Sequence, residues 1–169
     1  MELVIYPNDV LRGSCEPVVV FDEELRKVTE EMTTIMYAER GVGIAAPQVG
    51  IKKNIIAVDP SGGSNLGLRV MVNPKLRWSS KETVRLSEGC LSIPGVIVSV
   101  ERPISVEVEF QDVTGAAHVE RHVSWFSRII QHEMDHLQGK IMLDRMTGPV
   151  KSLFLKTYAN RIARARKTV

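Results

Sequence analysis

The stretch QHEMDHLQG, residues 131–139, places two histidines and an acid in the pattern His-Glu-x-x-His. On a helix, His132 and His136 lie one turn apart on the same face, so their imidazoles can converge on one ion. Glu133 is turned by about 100° around the helix axis from His132, which places its carboxylate to take a proton from a water on that ion. The stretch therefore predicts a metal site on a helix.

The residues before this motif extend the predicted helix from Ser124, which can cap it, to Gly139, which can end it. Two adjacent stripes at helical spacing put the motif on the inward, apolar face. One stripe is Trp125, Ile129, His132 and His136, and the other is Phe126, Ile130, Glu133 and Leu137. The alternative is a histidine pair in the core with a paired glutamate. Three buried ionisable groups are costly without a compensating ion, which favours the metal site.

A third protein ligand for the ion is not found downstream of the motif. Metzincin peptidases carry a histidine at the position held here by Met142. Gluzincin peptidases use a later glutamate, and this sequence has none after Glu133. The only later carboxylate outside the motif belongs to Asp144. The missing ligand is therefore expected upstream.

Four upstream residues are candidates for this ligand. His118 and His122 share one face of an extended strand, but HVERH has the pattern of a solvated hairpin strand. Cys15 has no local feature that favours reactivity. Cys90 lies in LSEGCLSIPG, where Gly89 allows close backbone approach, and a thiolate with two imidazoles suits zinc or ferrous iron. From spacing alone, Cys90 is equally open to a ligand role and to a role as a buried structural cysteine.

A first helix is predicted over residues 22–40, DEELRKVTEEMTTIMYAER. Asp22 can cap this helix and Gly41 can end it. Its predicted inward face consists of Leu25, Val28, Met32, Ile35 and Met36. A last helix is predicted from about residue 150, with Leu155, Tyr158 and Ile162 inward.

The middle of the chain predicts strands at 54–58, 69–73 and 104–110, the last with a clear alternation of apolar and polar residues. The stretch 112–117 predicts a turn, and 118–123 a returning partner strand. Strands grouped between helices, without strand–helix alternation, indicate an α+β fold.

Length and composition are typical of a single globular domain over residues 1–169, with 44% hydrophobic and 25% charged residues. A net charge of +2 is too small to indicate nucleic-acid binding. We expect no membrane span and no signal peptide. Two cysteines are too few for a disulfide framework, so we expect free thiols in a reducing compartment.

The stretch GVGIAAPQVG, residues 41–50, superficially matches a dinucleotide-binding loop. That loop must follow a strand and open a helix, whereas here a helix precedes it, and Pro47 with Gly50 disfavours a helix after it. An ordinary apolar loop or edge strand is the alternative, but it leaves Gln48 unexplained. A buried amide needs partners, and its NH₂ group could donate to a substrate oxygen.

Taken together, GVGIAAPQ (41–48), EGCLS (88–92) and QHEMDH (131–136) resemble the three motifs of the peptide deformylase family, in the same order. YPNDVLR (6–12) is similar to the family's start, so the resemblance covers nearly the whole chain. It implies an α+β fold with mixed or antiparallel sheets around the helix that bears His132, and a C-terminal helix. It also implies hydrolytic removal of the N-formyl group from nascent peptides that begin with formylmethionine, with release of formate.

The resemblance implies a role for each matched residue. Cys90, His132 and His136 would hold the metal, usually Fe²⁺, which Zn²⁺ could replace. Glu133 would be the general base, and the Gln48 amide and Leu91 N–H would hold the formyl oxygen. The backbone at Val42, Gly43 and Gly89 would pair with the substrate chain, and Ile129 would line the methionine pocket.

Two departures from the family pattern are small. Ile44 stands where leucine is usual, and the segment after Pro94 lacks an arginine or aromatic residue near position 97.

The stretch 151–169 carries six Lys or Arg and no acid, which favours a solvated helix face over contact with ribosomal RNA. The resemblance implies a bacterial-type cytoplasmic location. A metallopeptidase and a non-catalytic metal- or RNA-binding module are the alternative functions.

Overall fold

The computed structural model describes residues 1–63, 67–146, 151, 154, 157 and 158. The α-helices whose bounds lie within the described residues are α1 (Glu23–Ala38) and α2 (Ser124–Leu137). The strands are β1 (Gly43–Ala45), β2 (Ile55–Val58), β3 (Arg69–Ser79), β4 (Thr83–Glu88), β5 (Val98–Pro103), β6 (Ser105–Gln111) and β7 (Ala117–Val123). Single turns of 3-10 helix form at Asp9–Arg12, Ala46–Val49 and Met142–Arg145. Helices and antiparallel strands confirm the predicted α+β class.

Within the described ranges, five strands form one antiparallel sheet in the order β1-β2-β3-β6-β7. The helices cover opposite faces of this sheet. On one face, Met32 and Met36 of α1 pack with Ile55 of β2. On the other, Ile130 of α2 packs with Ile56, the next residue along β2. Because β2 is covered on both faces, its sequence is uniformly apolar and does not alternate.

The remaining strands, β4 and β5, form a separate antiparallel ribbon. The inward residues of β5 pack with the segment that follows α2 in a smaller core. That core contains Ile93, Val96, Val98, Val100, Ile141, Met142, Leu143 and Tyr158. Strand β4 ends at Glu88, so the ribbon places the stretch EGCLS, residues 88–92, beside α2. No helix formed by the described residues is long and apolar enough to cross a membrane.

The ends of the two helices differ from prediction in detail. Asp22 caps α1 as predicted, since its side chain accepts from the Leu25 N–H at 3.0 Å. The left-handed residue after α1 is Arg40 and not Gly41, although the Gly41 N–H still donates to a carbonyl of the last turn. Ser124 does not cap α2: it is the first helical residue, and the cap position belongs to Val123. Gly139 ends α2 with a φ of 67°, as predicted.

The strand predicted at 69–73 continues past Pro74 to Ser79, so the prediction that it ends at Asn73 was wrong. Asn73 adopts a φ of 53° at a break in register between β3 and β6. Its side chain stabilises the irregularity by accepting from the Val18 N–H at 2.8 Å and donating to the Val18 carbonyl at 2.8 Å. The side chain replaces the ladder bonds lost at this point, so the strand resumes beyond it.

The inward faces agree with prediction except at Trp125. Leu25, Met32 and Met36 of α1 are buried, but Trp125, in the first turn of α2, is 46% exposed. Of the predicted C-terminal helix, residues 151, 154, 157 and 158 are helical and Tyr158 is buried. Leu155 and Ile162 lie outside the described residues.

Candidate metal centre

Cys90, His132 and His136 converge at the junction of the β4–β5 ribbon with α2. Their potential ligand atoms all lie within 4.8 Å of one another, and the Cys90 Sγ is 3.4 Å from the His136 Nε2. The centroids of the two imidazole rings are 5.3 Å apart. The helical spacing of four residues aligns the histidines, and the end of β4 brings the cysteine to them from another part of the chain.

The chemistry of these donors fits a divalent transition metal. One thiolate and two imidazoles are ligands that zinc and ferrous iron accept, and three protein ligands leave a fourth position open. The Nδ1 of His132 is held by the Glu88 carboxylate at 3.0 Å, so the Nε2 is the nitrogen that can face an ion. The three side chains could therefore hold a metal in an open site.

The other upstream candidates lie elsewhere in the fold. His118 binds Asp112 at 2.8 Å, and the His122 ring packs against Phe126 in a tilted arrangement with ring centroids 4.3 Å apart. Cys15 is half-buried, and burial raises the pKa of its thiol to about 11, against a smaller opposing effect of Lys52. None of these residues joins the ligand cluster among the described residues.

Glu133 lies beside this cluster in a buried position, with 4% of its surface exposed. Its Oε2 is buried and has no hydrogen-bond partner among the described residues. Burial raises the pKa of Glu133 to about 7, although the positive charges of His132 and Arg102 oppose the shift. A carboxyl with a pKa near neutrality is well suited to accept and return a proton.

The side-chain amide of Gln48 is held in one orientation. Its Oε1 accepts from the Ala45 N–H at 2.8 Å, within the 3-10 turn that contains Pro47. The opposite end, Nε2, therefore points toward the ligand cluster, 3.6 Å from the Cys90 Sγ and 3.2 Å from the Ser92 Oγ. This geometry explains the polar residue within an apolar stretch, because the amide donates into the site.

A cavity of about 450 Å³ opens beside the cluster. The predicted site residues that line it are Val42, Gly43, Gln48, Gly89, Cys90, Leu91, Ile129, His132 and Glu133. His136 lies behind this wall and is 1% exposed. A Cβ at Gly43 would come within 2.6 Å of the Ile129 side chain and also meet Glu133. Glycine at this position therefore lets β1 pass close to α2.

Three residues of the site were not singled out from the sequence. Glu88, Arg102 and Arg128 are each at most 5% exposed and form one buried ion-pair cluster beside His132. Arg128 precedes His132 by four residues, so helical spacing already placed it on the same face. No sequence pattern indicated Arg102, because strand β5 was not predicted.

The site combines three metal-binding donors, a buried carboxylate and a polar amide at one cavity, which defines a candidate metal-dependent hydrolase. The sequence pattern of the polypeptide deformylase family matches residues 1–152. The chain belongs to the peptide deformylase family.

Individual relatives agree with this assignment. The chain is 40% identical over 148 residues to the chloroplastic peptide deformylase 1B of Oryza sativa, covering 87% of this chain and 55% of that protein. It is 33% identical over 162 residues to the peptide deformylase of Rickettsia akari, covering 92% of this chain and 93% of that protein. The chain thus spans about half the length of the plant relative and most of the bacterial one.

A solved structure agrees over the whole fold. The peptide deformylase of Plasmodium falciparum matches with a TM-score of 0.91 and 36% sequence identity, covering 99% of this chain and 98% of that one. Agreement at this level extends to the helices, the sheet and the ribbon. The relationship inferred from three short motifs is therefore confirmed.

Proposed function

We propose that this chain is a metal-dependent hydrolase that removes the N-formyl group from nascent peptides beginning with formylmethionine. The observation that carries the proposal is one cavity in which three metal-binding donors, a buried carboxylate and an amide donor meet. Membership in the peptide deformylase family supports this substrate. The products are formate and a free peptide N-terminus.

Cys90, His132 and His136 are the proposed ligands, and the HExxH pattern of α2 supplies two of them. Fe²⁺ is the proposed native ion, and Zn²⁺ is the proposed substitute. A divalent ion in such a site lowers the pKa of a coordinated water and polarises a carbonyl. A thiolate-ligated Fe²⁺ site is expected to be sensitive to oxygen.

Glu133 is the proposed proton carrier of the reaction. Its carboxylate takes a proton from the water that attacks the formyl carbon, and then gives this proton to the amine nitrogen as the C–N bond breaks. The pKa of about 7 that burial produces suits both steps, because the group must gain and then lose the same proton. A bound cation would lower this pKa by stabilising the carboxylate.

Gln48 and Leu91 are the proposed donors to the formyl oxygen. The Gln48 Nε2 already points at the cluster because the Ala45 N–H holds the other end of the amide. Leu91, which follows Cys90 in the sequence, lines the cavity. Donors held in place before the reaction stabilise negative charge as it develops on the oxygen, without a cost of reorganisation.

The substrate chain is proposed to add to the edge of β1. This strand pairs with β2 on one side and, among the described strands, ends the order of the sheet on the other. Val42 and Gly43 would pair with the substrate backbone from this edge, and Gly89 from the opposite wall. The methionine side chain would enter the cavity against Ile129.

Several broader predictions remain proposals. We propose that residues 1–169 form a single catalytic domain and that the protein works at a bacterial-type cytoplasmic location. Ribosome contact through residues 150–169 rests on their basic composition, and most of this stretch lies outside the described residues. A solvated helix face remains the favoured interpretation of its charge.

The function is tested by incubating the protein, loaded anaerobically with Fe²⁺, with a formyl-Met tripeptide and with its unformylated counterpart. We expect one formate released for each new amino terminus, with no cleavage of either peptide chain. Internal cleavage without formate would indicate a metallopeptidase. Metal binding with neither product would indicate a non-catalytic module.

Losing a residue that only hydrogen-bonds a metal ligand typically costs up to about 100-fold in metal affinity. Replacement of Cys90 with alanine removes a ligand itself, so we expect metal binding to weaken by more than about 100-fold. The physical reason is the loss of one of three ligands. Competition with a chelator measures the affinity. Cys15→Ala is the matched control, because this thiol lies outside the cluster. Wild-type affinity in Cys90→Ala would show that Cys90 is not the third ligand.

A further inference from the structure

Both oxygens of the buried Glu88 carboxylate are fully engaged. The Oε1 accepts from the Arg102 Nε at 2.7 Å and from the Arg128 Nη1. The Oε2 accepts from the Arg102 Nη2 at 2.9 Å and is 3.0 Å from the His132 Nδ1. Glu88 is 5% exposed, so bulk solvent has little access to these contacts. One carboxylate therefore links two guanidinium groups to an imidazole of the candidate metal centre.

Each of the two guanidinium groups also donates to partners other than Glu88. Arg102 donates through its Nη1 to Asp135 at 2.9 Å. Arg128 donates to the Val100 carbonyl at 3.1 Å and to the Val84 carbonyl at 2.7 Å. These carbonyls belong to β5 and β4, so Arg128 connects α2 to both strands of the ribbon. The carboxylate of Glu88 is consequently restrained by α2 and by both strands.

The contact with Glu88 determines which nitrogen of His132 can bind an ion. A neutral imidazole has one N–H and one lone pair. When the Nδ1–H donates to Glu88, the lone pair is on Nε2, and the ring is held in one plane. The two histidines differ here, because the Nδ1 of His136 is buried without a hydrogen-bond partner among the described residues.

We propose that Glu88 is a positioning residue for His132, and that Arg102 and Arg128 hold the carboxylate in the orientation that this task requires. The inference rests on the proposed metal site. The inference adds a role for the ribbon. Glu88, the last residue of β4, orients His132, and Cys90 follows Glu88 by two residues. Helix α2 and the ribbon are then coupled through the metal centre as well as through packing.

The test is Glu88→Gln, which preserves shape but presents an NH₂ group to donors. We expect the dissociation constant for Zn²⁺, measured by chelator competition, to rise about 10–100-fold, the usual cost of losing an outer-shell partner. The matched control is Asp59→Asn. The Asp59 carboxylate is also buried and accepts from the Tyr37 hydroxyl at 2.7 Å, but it makes no contact with Glu88, its two arginines or the ligand cluster. Its variant should bind Zn²⁺ as the wild type does.

Thermal unfolding of the metal-free proteins separates positioning from simple support of the fold. Both substitutions are expected to lower the melting temperature, since both remove a buried, hydrogen-bonded carboxylate. A Glu88→Gln protein that folds, melts early and binds Zn²⁺ as tightly as the wild type would overturn the proposal. So would an Asp59→Asn protein with an equal loss of affinity. A wild-type protein that binds no metal would overturn the proposed site, and this inference with it.

Glu88→Asp provides a second test if the glutamine variant does not fold. Aspartate retains the charge for the two arginines but withdraws the carboxylate from His132 by one methylene. We expect this variant to fold and to bind Zn²⁺ more weakly than the wild type. A Co²⁺-loaded sample should also show a shifted visible spectrum, because the ligand geometry changes. Wild-type affinity and an unchanged spectrum in Glu88→Asp would contradict the positioning role.

Discussion

Replacement of Glu133 with glutamine is expected to lower the rate of formate release by about 10²–10⁴-fold, the usual contribution of general acid–base catalysis. The amide has the same shape as the carboxyl group but cannot take a proton from water. Glu133 is not one of the clustered donors, so bound metal should stay at the wild-type level. The rate of formate release and the metal content are measured on the same preparation.

Glu101→Gln is a suitable control for this substitution. Its side chain is 48% exposed on β5 and pairs with Arg85 away from the cavity. Its variant should release formate at the wild-type rate. Near-wild-type activity in Glu133→Gln would show that another group carries the proton. Loss of the metal together with activity would assign Glu133 to metal binding.

Replacement of Arg102 with methionine is expected to lower the free energy of unfolding by about 3–5 kcal/mol, because it leaves buried charges without their partner. Arg102 is 2% exposed and pairs with Glu88 at 2.7 Å and Asp135 at 2.9 Å. Burial raises the pKa of Glu88, but hydrogen bonds from His132 and Arg102 outweigh this and lower it to about 2. Urea unfolding of the metal-free protein measures the change without a contribution from ligand binding.

Arg85→Met provides the contrast within the same ribbon. Arg85 pairs with Glu101 at 2.7 Å, but both side chains are largely exposed, at 58% and 48%. Removing such a pair is expected to change the free energy of unfolding by less than about 1 kcal/mol. Equal losses of unfolding free energy in the two variants would mean that either substitution destabilises the ribbon, and that the burial of Arg102 does not add to the effect.

The elements predicted well are those whose sequence periodicity survives in the fold. Helix α2 was predicted because its apolar residues recur at helical spacing against the sheet, and β6 because Val106 and Val108 alternate with partly buried polar residues. A turn was predicted at 112–117, and in the structure Asp112 and Gly115 contribute to it through local features, an Asp112 bond to the Thr114 N–H and a positive φ at Gly115. In each case the residues that determine the structure are neighbours in the sequence.

The ribbon was missed because its residues do not follow the expected pattern. In β5, the buried positions are Val98, Val100 and Arg102, so a charged residue stands where an apolar one is expected. In β4, the residues before Glu88 are exposed or only partly buried, and no face alternates. A buried arginine is stable there only because Glu88 and Asp135 reach it from other elements, which the local sequence does not indicate.

The sequence alone determined the part of the site that one helix carries. The spacing of His132, Glu133 and His136 places two imidazoles and a carboxylate together wherever α2 lies, because helix geometry is local. It left the third donor open between Cys90 and the other upstream residues, and the motif resemblance then favoured Cys90.

Only the tertiary structure decided how the remaining groups meet. Cys90 and His136 are 46 residues apart in the chain, and Gln48 and Cys90 are 42 apart, yet all three side chains lie in one cluster. The packing of α2 between the sheet and the ribbon brings them together, and it also buries Glu88 between two arginines beside His132. Such contacts depend on long-range packing and desolvation, which no local pattern in the sequence encodes.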